Sequence, residues 1–265
     1  MDRTNEIMVH VRESHRYGAY RVHDCVEFDV RENEFLCVCG PSGCGKTTLL
    51  DILSGLMKPT EGEVLIHGQP VNPKKQNISF VFQEPSTLPW LTVWDNIAVG
   101  LRVKNRPKNE VRSVVDGIID VVGLREFERH YPHQISGGMK QRVAIARAFA
   151  TDADLILMDE PFVSLDQPTR ERMQREVLDI WERRKRTIVF VTHNLEEAVF
   201  LGDRVIILSL SPARIRADME ITLPRPRNPL SMEFTALRAR CAALLSELSA
   251  VKNQESGQQE TGVRA

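Results

Sequence analysis

Gly40-Pro41-Ser42-Gly43-Cys44-Gly45-Lys46-Thr47 is a G-x-x-x-x-G-K-T stretch. It lies between the apolar run Phe35-Leu36-Cys37-Val38-Cys39 and the helix-like Thr48-Leu49-Leu50-Asp51-Ile52-Leu53. A strand, a glycine-rich turn and a helix, in that order, form the context in which such a stretch wraps phosphate groups. Glycines let successive backbone N–H groups turn inward with no Cβ in the way, at the positive end of the helix. Lys46 adds a mobile positive charge for the outer phosphates, and the Thr47 hydroxyl is a ligand suited to Mg2+. Residues Gly40 to Thr48 are therefore expected to hold a nucleoside triphosphate.

The bulk composition narrows what surrounds this loop. The chain has 265 residues, 42% of them hydrophobic and 27% charged, as in a soluble globule with a sizeable core. Lys and Arg total 35 against 36 Asp and Glu, so the net charge is −1 and no global basic field invites nucleic acid. No stretch approaches the ~18 consecutive apolar residues of a membrane span. The polar start, Met1 to His10, does not have the pattern of a signal peptide. Any membrane link must come through a partner. The cysteines Cys25, Cys37, Cys39, Cys44 and Cys241 are odd in number and suit a reducing cytoplasm. Cys37 and Cys39 share one strand face as small core hydrophobes, and Cys44 belongs to the phosphate loop, which argues against a metal site built from the three.

Around the loop the pattern alternates. Short β-like segments are expected at Ile7–Arg12, Val26–Val30, Phe35–Cys39, Glu63–Ile66 and Ile78–Phe82, with a turn at Pro59-Thr60-Glu61-Gly62. From about Leu91 to Ala150 the apolar period becomes helical, with Val111, Val114, Val115, Ile118, Ile119 and Val122 on one face. Strands and helices then alternate again through Leu155–Met158, Thr169–Arg184, Thr187–Thr192, a short helix from Leu195, and Arg204–Leu208. Leu223-Pro224-Arg225-Pro226-Arg227-Asn228-Pro229 excludes a helix and predicts an extended connector. A helix from Ser231 to about Leu248 and a polar, disordered tail over 251–265 complete the expectation.

A second chemical group follows the phosphate loop. Leu155-Ile156-Leu157-Met158-Asp159-Glu160 is an apolar strand ending in two carboxylates, and ligands in such folds sit beyond the carboxyl ends of strands. Asp159 is placed to hold Mg2+ and Glu160 to polarise an attacking water. The alternative, an acidic pair that caps a helix before Pro161, loses ground once the phosphate loop is taken into account. Ser136-Gly137-Gly138-Met139-Lys140-Gln141 begins 90 residues beyond Lys46, with Ser136 as a helix N-cap and Met139, Val143, Ala146 and Ala150 as a helical stripe.

Together these motifs resemble the ABC-type ATPases, the nucleotide-binding subunits of ATP-driven transporters, over about Ile7 to Arg214. Gly40–Thr47 resembles the Walker A motif and Leu155–Asp159 with Glu160 resembles Walker B and its catalytic glutamate. Ser136–Gln141 resembles the family signature, with Ile135 where Leu is usual. Gln83 resembles the Q-loop glutamine, a metal and water ligand that reports to the membrane partner. Ser164-Leu165-Asp166 resembles the D-loop, and His193 the switch histidine at the γ-phosphate. Tyr17 stands 23 residues before Gly40, where the family places an aromatic ring under adenine, with Tyr20 close enough to substitute. Gln83-Glu84-Pro85-Ser86-Thr87-Leu88-Pro89-Trp90-Leu91 and the tail Leu223-Pro224-Arg225-Pro226-Arg227 are similar to the import ATPases for nitrate, sulfonates and taurine.

The resemblance implies an α/β fold: a phosphate-loop NTPase core with a mostly parallel sheet, an N-terminal antiparallel β subdomain and an inserted helical subdomain. The ATPase domain would span 1–222, with the helical subdomain at about 88–150, followed by a connector and helix over 223–250. It implies ATP and Mg2+ as cofactors, with Thr47, Gln83 and Asp159 toward the metal and Glu160, His193 and Gln83 toward catalysis. Tyr17, the phosphate loop with Thr48, and Ser136, Gly137, Gly138 and Gln141 would hold ATP between the halves of a head-to-tail homodimer. Integral membrane permease subunits, and indirectly a periplasmic or extracellular solute-binding protein, are the implied partners. The chain would sit peripherally on the cytoplasmic face of the inner membrane. An export ATPase and a soluble, non-transport ATPase are the rival readings. One phosphate loop and one signature, with no room for a long coiled coil between them, weigh against the second.

Overall fold

The structure, a computed structural model, describes residues 6–245. Alternating apolar and polar residues build the first layer. In β1 (Ile7–Tyr17) and β2 (Tyr20–Arg31), Val9, Val11, Val26, Phe28 and Val30 are buried, and the two strands pair antiparallel. With β4 (Glu61–Ile66) and the short β5 (Gln69–Pro70) they form a four-stranded sheet in the order β2-β1-β4-β5.

The second sheet contains β3 (Phe35–Cys39), β6 (Ile78–Val81), β7 (Leu155–Asp159), β8 (Thr187–Thr192), β9 (Arg204–Leu208) and β10 (Ile215–Glu220). Its order is β10-β9-β3-β8-β7-β6, parallel throughout except for the antiparallel β9–β10 pair. Every residue of β3, β7, β8 and β9 is buried, as expected of strands covered on both faces. The two-residue period divides the core. Phe35, Cys37 and Cys39 face one cluster with Val143, Met173 and Val199, while Leu36 and Val38 face another with Val9, Val11 and Leu49.

The helices follow from their caps and apolar stripes. α1 (Lys46–Leu53) leaves directly from the phosphate loop. Between β6 and β7 lie α2 (Val93–Val103), α3 (Lys108–Val121) and α4 (Gly137–Ala150). Thr92 and Ser136 cap α2 and α4, each side-chain oxygen accepting the N–H of the third residue on. Val111, Val115, Ile118 and Ile119 form the inner face of α3. α5 (Gln167–Arg184) and α6 (Leu195–Leu201) follow β7 and β8, and a final helix, α7, spans 232–245.

Three features differ from the sequence reading. β1 and β2 run through polar Glu13–Tyr17 and Tyr20–Cys25, well beyond the apolar segments that signalled them. β10 gave no signal, because it is an edge strand that alternates half-buried Ala217 and Met219 with exposed Arg216, Asp218 and Glu220. The proline-rich stretch contains no helix, but it is anchored to the domain. Arg225 lies 4.7 Å over the Trp181 ring and binds Asp203 Oδ1 at 2.6 Å. Buried Arg227 donates to the carbonyls of Val199 at 2.7 Å, Phe200 at 3.2 Å and Gly202 at 2.6 Å, closing the end of α6. α7 then inserts Phe234 and Cys241 into the main core. The tail over 251–265 and the last turn expected of α7 lie outside the described residues.

Removing the Arg227 guanidinium leaves the buried carbonyls that close α6 without a charged donor. Arg227→Ala is expected to cost about 2–3 kcal/mol of stability, read as a lower midpoint in urea unfolding.

Candidate functional site

The loop between β3 and α1 emerges at an interior strand, with β9 on one side and β8 on the other. Gly43 (φ 79°) and Gly45 (φ 96°) occupy the left-handed region, where a side chain would strain the turn. Gly45 caps α1, and no acidic residue in the first turn offsets the positive helix end. Cys44 is buried beneath the loop and Ser42 is exposed on it. Lys46 is 7% exposed, and its ammonium donates to the carbonyls of Gly40 at 2.9 Å and Pro41 at 3.0 Å. Thr47 Oγ1 donates to Asp159 Oδ2 at 2.7 Å.

That hydrogen bond joins the loop to the end of β7. Burial pushes the Asp159 carboxyl above its ordinary value, and the Thr47 hydroxyl partly offsets this. Glu160 has φ 42°, unusual for a non-glycine residue, and its N–H donates to the Val191 carbonyl of β8 at 3.0 Å. Its carboxylate stands 2.9 Å from His193 Nδ1 and 4.0 Å from Lys46 Nζ. Half of the His193 side chain is exposed at 52%, so the ring bridges the carboxylate and open solvent. The Thr47 hydroxyl and Asp159 carboxylate are hard oxygen donors, a set that fits Mg2+. Lys46, Thr47, Asp159, Glu160 and His193, identified separately in the sequence, therefore meet at one edge of the sheet.

The remaining candidates lie around this edge. Gln83 is exposed just past β6. The Tyr17 hydroxyl lies 3.4 Å from Thr48 Oγ1 and 3.4 Å from Met57 Sδ, so its ring stands beside the start of α1; Tyr20 is 59% exposed. Ser136 and Gly137 are exposed at the head of α4, and a Cβ on Gly138 would come within 3.0 Å of Leu165 Cδ2. Gln141 requires a correction. It is 0% exposed and its amide donates to the Phe82 carbonyl at 3.2 Å, so it supports the segment before Gln83 from inside and is not open to a nucleotide. One helical turn past Ser136, it falls on the inner face of α4, which the spacing of the motif did not reveal.

A family model described as ABC transporter matches residues 23–163. The chain belongs to the ABC transporter family. Over 224 residues this ABC ATPase is 49% identical to an uncharacterized ABC transporter ATP-binding protein of Methanocaldococcus jannaschii, with 84% of each chain covered. Over 227 residues it is 43% identical to an aliphatic sulfonates import ATP-binding protein of Bacillus thuringiensis subsp. konkukian, covering 86% of this chain and 89% of that one. Among solved structures, a dimeric ATP-binding cassette in a post-hydrolysis state with ADP and Pi superposes with a TM-score of 0.72. It is 32% identical, and the match covers 82% of this chain and all of that one. The fold is that of the phosphate-loop ATPase cassettes, and the protein is an ATPase.

Two groups of residues in the ABC ATPase escaped the sequence reading. Glu13 and His23 lie buried under the phosphate loop, where bulges in β1 and β2 break the alternation that would have revealed them. Asn96, 0% exposed on α2, accepts the Leu88 N–H at 2.8 Å and donates to the carbonyls of Leu88, Leu91 and Thr92. It fixes the loop ahead of α2, whose apolar residues divide into two sets. Val93 is buried, and Trp94 packs on the core with Nε1 donating to Asp116 at 3.0 Å. Trp90 is 69% exposed beside half-buried Leu88 and Leu91.

Proposed function

We propose that this ATPase powers import of a small solute, of the nitrate, sulfonate or taurine kind, through a separate membrane permease fed by a solute-binding protein. The chain would act peripherally on the cytoplasmic face of the membrane. The observation that carries the catalytic part is the joining of Lys46, Glu160 and His193 beside the Thr47–Asp159 pair. The likeness to sulfonate import proteins supports import over the export and non-transport readings. No helix among the described residues is long and apolar enough to cross a membrane, so the reading needs a separate permease.

In this mechanism the loop from Gly40 to Thr48 holds the phosphates and Tyr17 lies under the adenine. Lys46 swings from the Gly40 and Pro41 carbonyls to the outer phosphates, exchanging neutral acceptors for charged ones. Thr47 and Asp159, with Gln83, are the residues that would hold Mg2+, whose chemistry when bound is charge neutralisation at the outer phosphate oxygens. Glu160 accepts a proton from the attacking water. His193 donates through Nδ1 to Glu160, which orients the carboxylate and turns the opposite ring edge toward the γ-phosphate. Ser136 and Gly137, exposed on α4, cover the nucleotide of a second copy in a head-to-tail dimer. A dimer is supported by the similar cassette, which is dimeric and bound to ADP and Pi.

Glu160→Gln keeps the shape of the site but cannot take the proton. The purified variant is expected to bind ATP, lose turnover by at least about a hundredfold, and elute as an ATP-dependent dimer. A monomer in saturating ATP and Mg2+ would count against the shared site.

Coupling to the permease is assigned to the loop before α2. Exposed Trp90, with half-buried Leu88 and Leu91, offers an apolar anchor seven residues after Gln83 in the chain, and Asn96 hydrogen-bonds the backbone of the same loop. Trp90→Ala is expected to change stability by less than about 0.5 kcal/mol while the permease is lost from pull-downs. Variants that bind the permease normally would move the docking surface elsewhere. With permease and binding protein in proteoliposomes, ATP should drive uptake of one labelled solute among taurine, an alkanesulfonate and nitrate. Uptake of none of them would reject the substrate class.

A further inference from the structure

Beneath the phosphate loop, the antiparallel sheet buries a pair of ionisable side chains against one another. Glu13 of β1 is 2% exposed and His23 of β2 is 0% exposed. His23 Nδ1 stands 2.8 Å from Glu13 Oε1, and its Nε2 stands 3.0 Å from the carbonyl oxygen of Gly45. Local irregularities accompany this placement: the β1–β2 register slips between Glu13 and His15 and again before Arg16, and Cys25 adopts φ 55°. Such bulges re-aim side chains. The Glu13–His23 contact is short but off the axis of a good hydrogen bond, and neither Glu13 oxygen gains another partner among the described residues. A buried pair of this quality stabilises a fold weakly at best, so its consequence lies in what it holds.

We propose that His23, steered by Glu13, is a positioning residue for the phosphate loop. A carbonyl only accepts, so Nε2 carries the hydrogen directed at Gly45. The Glu13 carboxyl, 2.8 Å from the opposite ring nitrogen, sets how the imidazole is turned. Gly45 is left-handed and has no side chain, so apart from the helical bond from the Leu49 N–H little holds the peptide that follows it. That peptide is planar, with the Gly45 carbonyl at one end and the Lys46 N–H at the other. Holding the carbonyl, which also accepts the Leu49 N–H at 2.9 Å, sets the direction of the Lys46 N–H at the mouth of α1. The fit is reciprocal: a Cβ on Gly45 would fall 2.5 Å from His23 Nε2 and 2.4 Å from Val22 Cγ1. The antiparallel sheet thus touches the Gly45 carbonyl through the His23 imidazole.

The inference rests on ATP being held at this loop. Lys46→Ala tests that premise separately, since wild-type turnover there would defeat the ATP reading itself. The decisive protein is the double variant Glu13→Leu/His23→Leu. Apolar replacement of both partners removes the two buried ionisable groups together, so its cooperative thermal melt should be at or above that of the wild type. Its affinity for a fluorescent ADP analogue should fall about tenfold and KM for ATP should rise to match, with kcat within about twofold, because a backbone N–H serves ground and transition states alike. Glu13→Gln should behave as wild type, since its amide donates to Nδ1 and leaves Nε2–H on Gly45. A folded double variant with wild-type nucleotide affinity would overturn the proposal. Loss of the cooperative melt would also overturn it, because the pair would then be a determinant of the fold and not of the loop.

Discussion

Parallel strands covered on both faces must all end at one edge, and the chemistry of this protein depends on that constraint. β3, β7 and β8 are neighbours or next neighbours in the six-stranded sheet, so the residues just past their ends meet without further design. Lys46 and Thr47 follow β3, Asp159 and Glu160 close β7, and His193 follows β8. The Thr47–Asp159 hydrogen bond and the Glu160 N–H to Val191 then fix these ends relative to one another. The cost is local: Glu160 is held in a backbone conformation that non-glycine residues rarely adopt, stabilised by its neighbour strand.

The helical unit is bound to this edge through backbone acceptors of the segment after β6. Gln141 donates to the Phe82 carbonyl, and Arg147 donates to both the carbonyl and the hydroxyl of Ser86. One helix, α4, therefore carries Ser136 at its head and grips the segment around Gln83 along its side. A displacement of that segment moves the head of α4 with it, because helices transmit motion as rigid elements.

The legible parts of the sequence were those where chemistry or burial is contiguous. β3, β8 and β9 were read to the residue because an uninterrupted apolar run has sharp ends. The phosphate loop and the Asp159-Glu160 pair could be picked out because their residues are neighbours in the chain, and the structure brings the two groups together. What escaped depended on geometry between distant segments. β10 hid as a polar edge, and Glu13 and His23 hid behind register slips. Gln141 was misread because a motif gives spacing without saying which helix face turns inward. The transported solute has no counterpart in these residues, since an ATPase subunit need not touch it.

Arg227 also orders events in time. It sits past the proline-rich stretch and supplies the donors that close α6, the helix that begins just after His193. Chains emerge from the ribosome N-terminal end first, at roughly 5–20 residues per second. The phosphate loop and its strand are therefore available seconds before the guanidinium that finishes α6. Until Arg227 emerges, the carbonyls of Val199, Phe200 and Gly202 lack their guanidinium donor, so the end of α6 is completed only by a residue made after the last strand of the sheet.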